Sequence, residues 1–372
     1  IAFATKTFKT HSFKGSAIDF RLRKRQLPGD EPVKTAEFAP EIPGLAVDEP
    51  PAPPKQKKKK KRPWTIVLDD VSIDGIEQLA ILAMQLRAQG TIDADMSIEL
   101  GGGTLAMKRV RMNLTDAEFT AMGNQVMREM QLGIDARMEP FRPKEAKGLD
   151  VLKSLTGTIT LSGNSQGAAL INTLLAKIEA VELGSPGGQI DGLVELQRGV
   201  LSPGTTLSFS ADGGWEDIMD WRATGLFQLE SNVRQQEGEV ATTVGVSLTD
   251  VVLTGQESED PLLAGAELLL DAAAGALDLS GGVDALSSSL EAISLDLNNA
   301  RVADITRFPI PAVEDFTLDA GEILVESHAV LTRDNGGEAT IKVHGDGIDA
   351  SYGDVAIKGN LLLDLNASTD DI

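Results

Sequence analysis

The chain has 372 residues, a mass of 39.4 kDa and a formal net charge of −22 at pH 7. It holds no cysteine, which excludes disulfide scaffolds, thiolate catalysis and Cys-ligated zinc or iron–sulfur sites. Three histidines (His11, His328, His344) and an aromatic content of 4% leave little material for a multi-histidine metal centre, or for platforms that stack sugars or single-stranded nucleic acid.

From the first residue, Ile1, the chain runs without an initiator Met, and its last alternating run breaks off after Asn366. It reads as part of a longer protein, so a leader or anchor is to be sought outside it. Residues 1–64 carry 15 Lys+Arg against 7 Asp+Glu, whereas the remainder carries 19 against 49. An acidic body of that size disfavours nucleic acid as a partner, because phosphate binding needs a cationic face. Nine of the 16 prolines fall between Pro28 and Pro63 beside Lys57, Lys58, Lys59, Lys60 and Lys61. Residues 28–63 therefore read as a disordered, solvated linker or loop. The lysines are the candidate contact for an anionic surface, each worth about 1 kcal/mol near charged lipid head groups.

From Trp64 onward the dominant signal has period two. Ile92, Ala94, Met96, Ile98 and Leu100 are apolar, with Thr91, Asp93, Asp95, Ser97 and Glu99 between them. The pattern returns at 130–138, 190–196, 240–248 and 355–365, each reading as a strand with one buried and one wet face. Turns are expected at Gly101-Gly102-Gly103, Pro186-Gly187-Gly188, Pro203-Gly204, Asp212-Gly213-Gly214 and Asn335-Gly336-Gly337. A loose repeat opens strands at Gly90-Thr-Ile-Asp-Ala and Gly188-Gln-Ile-Asp-Gly, too irregular in period for a solenoid. One helix is expected over 166–183, where Leu170, Leu174, Ile178 and Val181 recur at helical spacing, and a second, short one over Trp215 to Trp221. Thr115 to Glu118 has the form of a capping box, but the flanking alternation favours two strands joined by a turn. No run of about 18 uncharged apolar residues exists, since Leu262 to Leu279 is interrupted by Glu267 and Asp271.

A dozen or more one-faced strands need a cover that two short helices cannot supply. The sheet therefore curls over its own apolar face, packs as a sandwich, or keeps the face partly open around an apolar ligand. The aliphatic and Met-rich lining suits acyl chains as well as it suits an ordinary core.

Chemical motifs are few. Gly163-Asn-Ser165-Gln-Gly167 matches a nucleophile elbow, yet the parallel sheet that this motif requires has no support in the pattern. A three-residue loop at 335–337 would place His328 across from His344 and Glu326 across from Asp346, making a weak candidate metal site. Asp69-Asp70 and Glu216-Asp217 read as turn acids, and Asn113-Leu-Thr115 and Asn366-Ala-Ser368 as chance glycosylation sequons. No phosphate loop, EF-hand or dinucleotide fingerprint occurs, and no cofactor or catalytic residue is assigned.

The segment from Trp64 through Leu68-Asp-Asp-Val-Ser-Ile-Asp-Gly-Ile76 resembles the strand, short turn, strand opening of AsmA-like proteins of the Gram-negative cell envelope. The run Leu155 to Gly163, the helix Ala169 to Leu183, and Gly188 to Leu207 are similar to the repeating β-groove units of that group, which includes the TamB-like proteins. The resemblance covers most of 64–372 and takes residues 1–27 as an incoming strand pair. It implies a mostly β protein whose long antiparallel meander curls into a taco-like groove, non-enzymatic, in the periplasm, and anchored to the inner membrane by a segment outside this chain. The implied partners are phospholipid acyl chains moving between the membranes in support of outer-membrane assembly. On this view 64–372 is one continuous groove region lined by Ile92, Met96, Ile98, Leu132, Ile134, Val194, Leu196, Val244, Val246, Leu361 and Leu363. The 28–63 insertion has no counterpart in the family pattern. The rival reading is a surface structural protein of tandem β-sandwich modules, as in adhesins.

Overall fold

The computed structural model describes residues 6–22, 63–81, 84–100, 103–121, 123–142, 148–165, 187–218, 221–236, 238–255, 260–281, 288–307, 316–333 and 336–369. The expected helix over 166–183 and the lysines 57–61 lie outside these residues. The protein is mostly β. Helical structure among the described residues is confined to short turns, with 3-10 geometry at Gly148–Ser154, Leu279–Gly281 and Ile305–Arg307.

The chain divides into two compact units, Ile1–Thr173 with Ile190–Ser202 and Asp278–Ala285, and Leu174–Gln189 with Pro203–Leu277 and Leu286–Ile372. The first holds β1 (Thr7–Thr10), β2 (Phe13–Leu22), β3 (Thr65–Ile81), β4 (Met84–Glu99), β5 (Leu105–Ala121), β6 (Asn124–Phe141), β7 (Leu155–Ser165), most of β8 (Gly188–Gln197) and β9 (Val200–Leu201). The second holds β10 (Thr206–Ile218), β11 (Trp221–Gln236), β12 (Glu239–Gly255), β13 (Pro261–Ala274), β14 (Leu290–Val302), β15 (Phe316–Thr332), β16 (Gly336–Tyr352) and β17 (Val355–Thr369). From β3 to β7, and again from β10 to β17, each strand pairs antiparallel with the next, which is the expected curled meander.

The exception is at the start. β1 and β2 are not a hairpin pair: they follow one another along one edge of β3, both parallel to it, with Thr7 beside Thr65 and Leu22 beside Ile81. Lys9 fastens β1 to β3 through Asp69 at 2.7 Å. A parallel neighbour requires a crossover, since the chain leaves β2 at the far end of β3 and re-enters at the near end, about 50 Å away at about 3.3 Å per strand residue. Residues 23–62, which hold nearly all of the expected 28–63 linker, lie outside the described residues.

Most of the strands from β3 to β17 are longer than the sequence pattern suggested, because several expected turns are strand interior. Asp69-Asp70 and Asp116 lie inside continuous strands β3 and β5, not at turns. The supposed opening at Trp64 to Ile76 lies, from Thr65 on, within the single seventeen-residue strand β3. Gly90 lies within β4 rather than at its start, and Asp212-Gly213-Gly214 within β10, where Gly213 faces Gly225 across the ladder. The short helix expected at Trp215 to Trp221 is instead the β10–β11 hairpin, with Trp215 opposite Ala223 and Ile218 opposite Trp221. Ladder pairing with a neighbour overrode a weak local helical pattern in a stretch too short to nucleate alone.

What replaces the turns is a set of bulges. Asp70, Asp116, Asp250 and Asn299 have φ of 54°, 49°, 54° and 55°, and at each the ladder slips by one residue: Leu68/Val71, Leu114/Ala117, Leu248/Val251 and Leu297/Ala300. Left-handed backbone costs about 1–2 kcal/mol in an ordinary L residue, and Asp and Asn tolerate it best. Asp70 is further held by donating its N–H to Asp95 Oδ1 at 2.8 Å. Each slip reverses which parity of residue faces the apolar side, so Val110, Met112 and Leu114 hand over to Ala117, Phe119 and Ala121. Packing is tight beside the Asp116 bulge, where Leu114 is 2% exposed and Ala117 fully buried.

Two substitutions follow from this backbone. A Cβ on Gly90, at φ +116°, would stand 2.0 Å from the Asn113 carbonyl oxygen, so Gly90→Ala is expected to destabilise by about 1–3 kcal/mol in urea unfolding. Asp250→Val should cost about 1–2 kcal/mol, whereas Asp250→Gly should change stability by less than about 0.5 kcal/mol. Equal losses for the two Asp250 variants would show that its backbone conformation is unimportant.

Candidate functional site

In the second unit the ladders align apolar residues into rows that cross all eight strands. One row runs Phe209, Leu229, Val246, Leu270, Leu295, Ala329, Ala339, Ala367. The next runs Ala211, Phe227, Leu248, Leu268, Leu297, Ser327, Ile341, Leu365, with Ser327 its single polar member. At the β10–β11 side this face is closed: Phe209 is 6% exposed and Phe227 meets it edge-on, centroids 6.0 Å apart. Toward β17 it opens. Leu270 is 37% exposed, Leu295 38%, Ile341 42% and Leu365 50%, values far above those of a sealed core.

Where the small residues Ala329, Ala339 and Ala367 meet Ile293, Leu295 and Leu331, the face sinks into a cavity of about 320 Å³. The remaining exposure of Leu268, Leu270, Leu295, Leu331, Ile341, Leu361, Leu363 and Leu365 represents on the order of 5 kcal/mol if an apolar ligand covered it. No charged side chain belongs to these rows. The carboxylates held below their usual range sit at turns or on the polar face: Asp278 accepts from the Ser280 hydroxyl and N–H, Asp304 from those of Thr306, and Asp69 from the Lys9 ammonium. What the face offers chemically is dispersion and dehydration along a strip, with no group placed for proton transfer.

The first unit carries an equivalent face. Ile73, Ile92, Met112, Ile134 and Ile159 form one row, and Leu68, Met96, Met107, Met138 and Leu155 another. Of the expected lining residues, Ile92, Met96, Ile98, Leu132 and Ile134 lie on this face, all partly buried. Val194 is partly buried and Leu196 buried on β8. Val244, Val246, Leu361 and Leu363 belong to the second unit's face, the last two at its open end. Leu268, Leu270, Leu295, Leu331 and Ile341 were missed. For Leu268, Leu270 and Leu295 a signal was legible in the runs 262–270 and 290–297: in the first, residues of both parities are apolar and alternation is hard to read, whereas in the second Ile293, Leu295 and Leu297 alternate with Ser294 and Asp296.

The expected metal site is not formed. The β15–β16 loop is 333–335, closed by Thr332 opposite Gly336 at φ +74°, two residues earlier than Asn335-Gly336-Gly337 placed it. The register therefore shifts by four: His328 faces Thr340, His344 faces Leu324, Glu326 faces Lys342, and Asp346 faces Glu322. His328 instead bonds Asp296 Oδ1 through Nδ1 at 2.5 Å. Among the described residues no group of three or more His, Asp and Glu is placed to hold a metal ion. Ser165 of the elbow-like motif is 4% exposed and laddered to Met127 in an antiparallel pair. A second concavity, about 540 Å³, is bordered by Arg301, Glu322, His344 and Asp346, and its Arg301 donates to both Glu322 oxygens at 3.0 and 2.8 Å.

The open rows and the buried bulge residues should respond differently to truncation. Leu114→Ala is expected to cost about 2–5 kcal/mol, and Leu363→Ala less than about 1 kcal/mol, in denaturant unfolding. A comparable cost at both sites would mean that something covers Leu363 in solution. Comparison with protein-family models, with curated proteins and with solved structures finds no match to this chain.

Proposed function

We propose that this chain belongs to a non-enzymatic cell-envelope protein of the AsmA-like and TamB-like kind. In this reading its apolar sheet face binds phospholipid acyl chains and conducts them between the inner and outer membranes, supporting outer-membrane assembly. The observation that carries the reading is the pair of apolar rows crossing eight strands of the second unit while large aliphatic side chains stay open along half their length. An acyl chain has no hydrogen-bonding groups, so it needs no polar partners from a wall that has almost none. A sugar or a polar peptide side chain would lose its hydrogen bonds there. Successive strands about 4.8 Å apart give an alkyl chain equivalent footing from one strand to the next, which suits movement along the rows better than tight capture in one place. The reading places the protein in the periplasm, with the membrane anchor in a segment outside this chain and Lys57 to Lys61 meeting anionic head groups.

The test is mass spectrometry of organic extracts from natively purified protein, comparing the wild type with a Leu295→Asp/Leu363→Asp double variant. The expected result is co-purifying phospholipid that falls at least tenfold in the variant, with the far-UV circular dichroism unchanged. A wild type free of lipid would overturn the reading in favour of a closed β module, and equal lipid in both proteins would remove this face as the binding surface.

A further inference from the structure

Eight of the nine methionines lie between Met84 and Met138. Three of them are ladder partners: Met96 on β4 faces Met107 on β5, which faces Met138 on β6, so they form one cross-strand row on the first unit's apolar face. All three are partly buried, in contrast to Met127 and Met130, which are 4% and 6% exposed. The row ends in Leu68 and Leu155. The flanking rows, which pass through Ala94 and Val110 on one side and through Ile98 and Leu105 on the other, hold no polar side chain. Packing alone does not call for methionine here. The apolar rows of the second unit are built without one, and methionine loses more rotamer freedom on ordering than leucine does. What methionine adds is chemistry, since its thioether is readily oxidised and the hydrocarbon around it is not.

We propose that Met96, Met107 and Met138 form a modification site, an oxidisable stripe at which a peroxide turns this part of the apolar face polar and releases an apolar ligand. At each residue the sulfur lone pair attacks one oxygen of hydrogen peroxide and the O–O bond breaks. The displaced hydroxide takes the proton left on the transferred oxygen. One sulfoxide and one water result, the sulfur having lost two electrons and the peroxide having gained them. The new S=O oxygen demands a hydrogen-bond donor, and neither the row nor its neighbours supplies one, so water must enter. A strip that holds water on three adjacent strands no longer dehydrates a ligand. Methionine sulfoxide reductases, one for each sulfoxide epimer, restore the face. The oxidation is independent of the proposed lipid function, and only the release of acyl chains rests on that reading.

The full chain is treated with hydrogen peroxide, and sulfoxide formation is followed at each methionine by peptide mass spectrometry. Met96, Met107 and Met138 are expected to oxidise at least tenfold faster than Met127 and Met130 in the same molecule. Equal rates would overturn the site. Before and after oxidation the protein is photolabelled with a diazirine-bearing fatty acid. Labelling of peptides within 92–138 is expected to fall at least fivefold, while labelling within 262–297, which holds no methionine, stays within twofold. A Met96→Leu/Met107→Leu/Met138→Leu variant, which nearly conserves volume at each position, should keep its labelling through the same treatment. Unchanged labelling of 92–138 in the oxidised wild type, or an equal fall in the triple variant, would overturn the stripe as the control of this face. No labelling of either face before oxidation would overturn the acyl-chain reading and the release step with it, whereas the ranking of oxidation rates decides the modification site by itself.

Discussion

Everything in this molecule depends on keeping apolar side chains on one side of very long strands. A strand of seventeen residues has its natural twist and must bend to curl, and bending without a break means inserting an extra residue. Each insertion reverses the facing of all residues beyond it. The sequence compensates by shifting the parity of its apolar residues at the same point, so the face survives the bend. Leu68-Asp-Asp70-Val71, Leu114-Thr-Asp116-Ala117, Leu248-Thr-Asp250-Val251 and Leu297-Asn-Asn299-Ala300 are four solutions to this one problem, each with Asp or Asn at the left-handed position.

The energetic consequence is an uneven core. Flanking the bulges, small and branched residues close up, as at Val71, Ala117 and Ala300, and there the sheet is rigidly specified. Between bulges and toward β17 the same rows carry leucines that remain substantially exposed. A sheet stabilised at its creases can leave its intervening strips uncovered and still hold its register, because hydrogen-bonded ladders and cross-strand pairs continue through them. That division between closed creases and open strips is the physical basis for assigning function to the strips.

The β1–β2 edge extends the same logic to topology. An antiparallel meander needs only short turns, whereas a parallel neighbour requires a connection that spans the length of β3.

Much of this was legible in the residues themselves. Alternation in runs such as Ile92 to Leu100 and Val240 to Leu248 identified β-strands with one apolar face, and their number against two short helices left a curled sheet, a sandwich or an open face, of which the family resemblance implied the curled meander. The Leu-x-Asp-Val signature was also present but reads equally as a turn, since Asp and Gly serve both in bulges and in loops. Whether such a residue ends a strand or bends it is decided by the neighbouring ladder, which supplies partners on both sides of Asp116 and Asp250 and so carries the chain straight on. The register of β15 on β16 was likewise undetermined, because moving a loop by two residues preserves every apolar pairing parity while shifting each partner by four. Composition and period therefore determined the class of structure and the chemistry of its faces. Only the tertiary pairing decided which leucines stand open, where the histidines fall and how β1 and β2 meet β3, for these depend on partners far away in the chain.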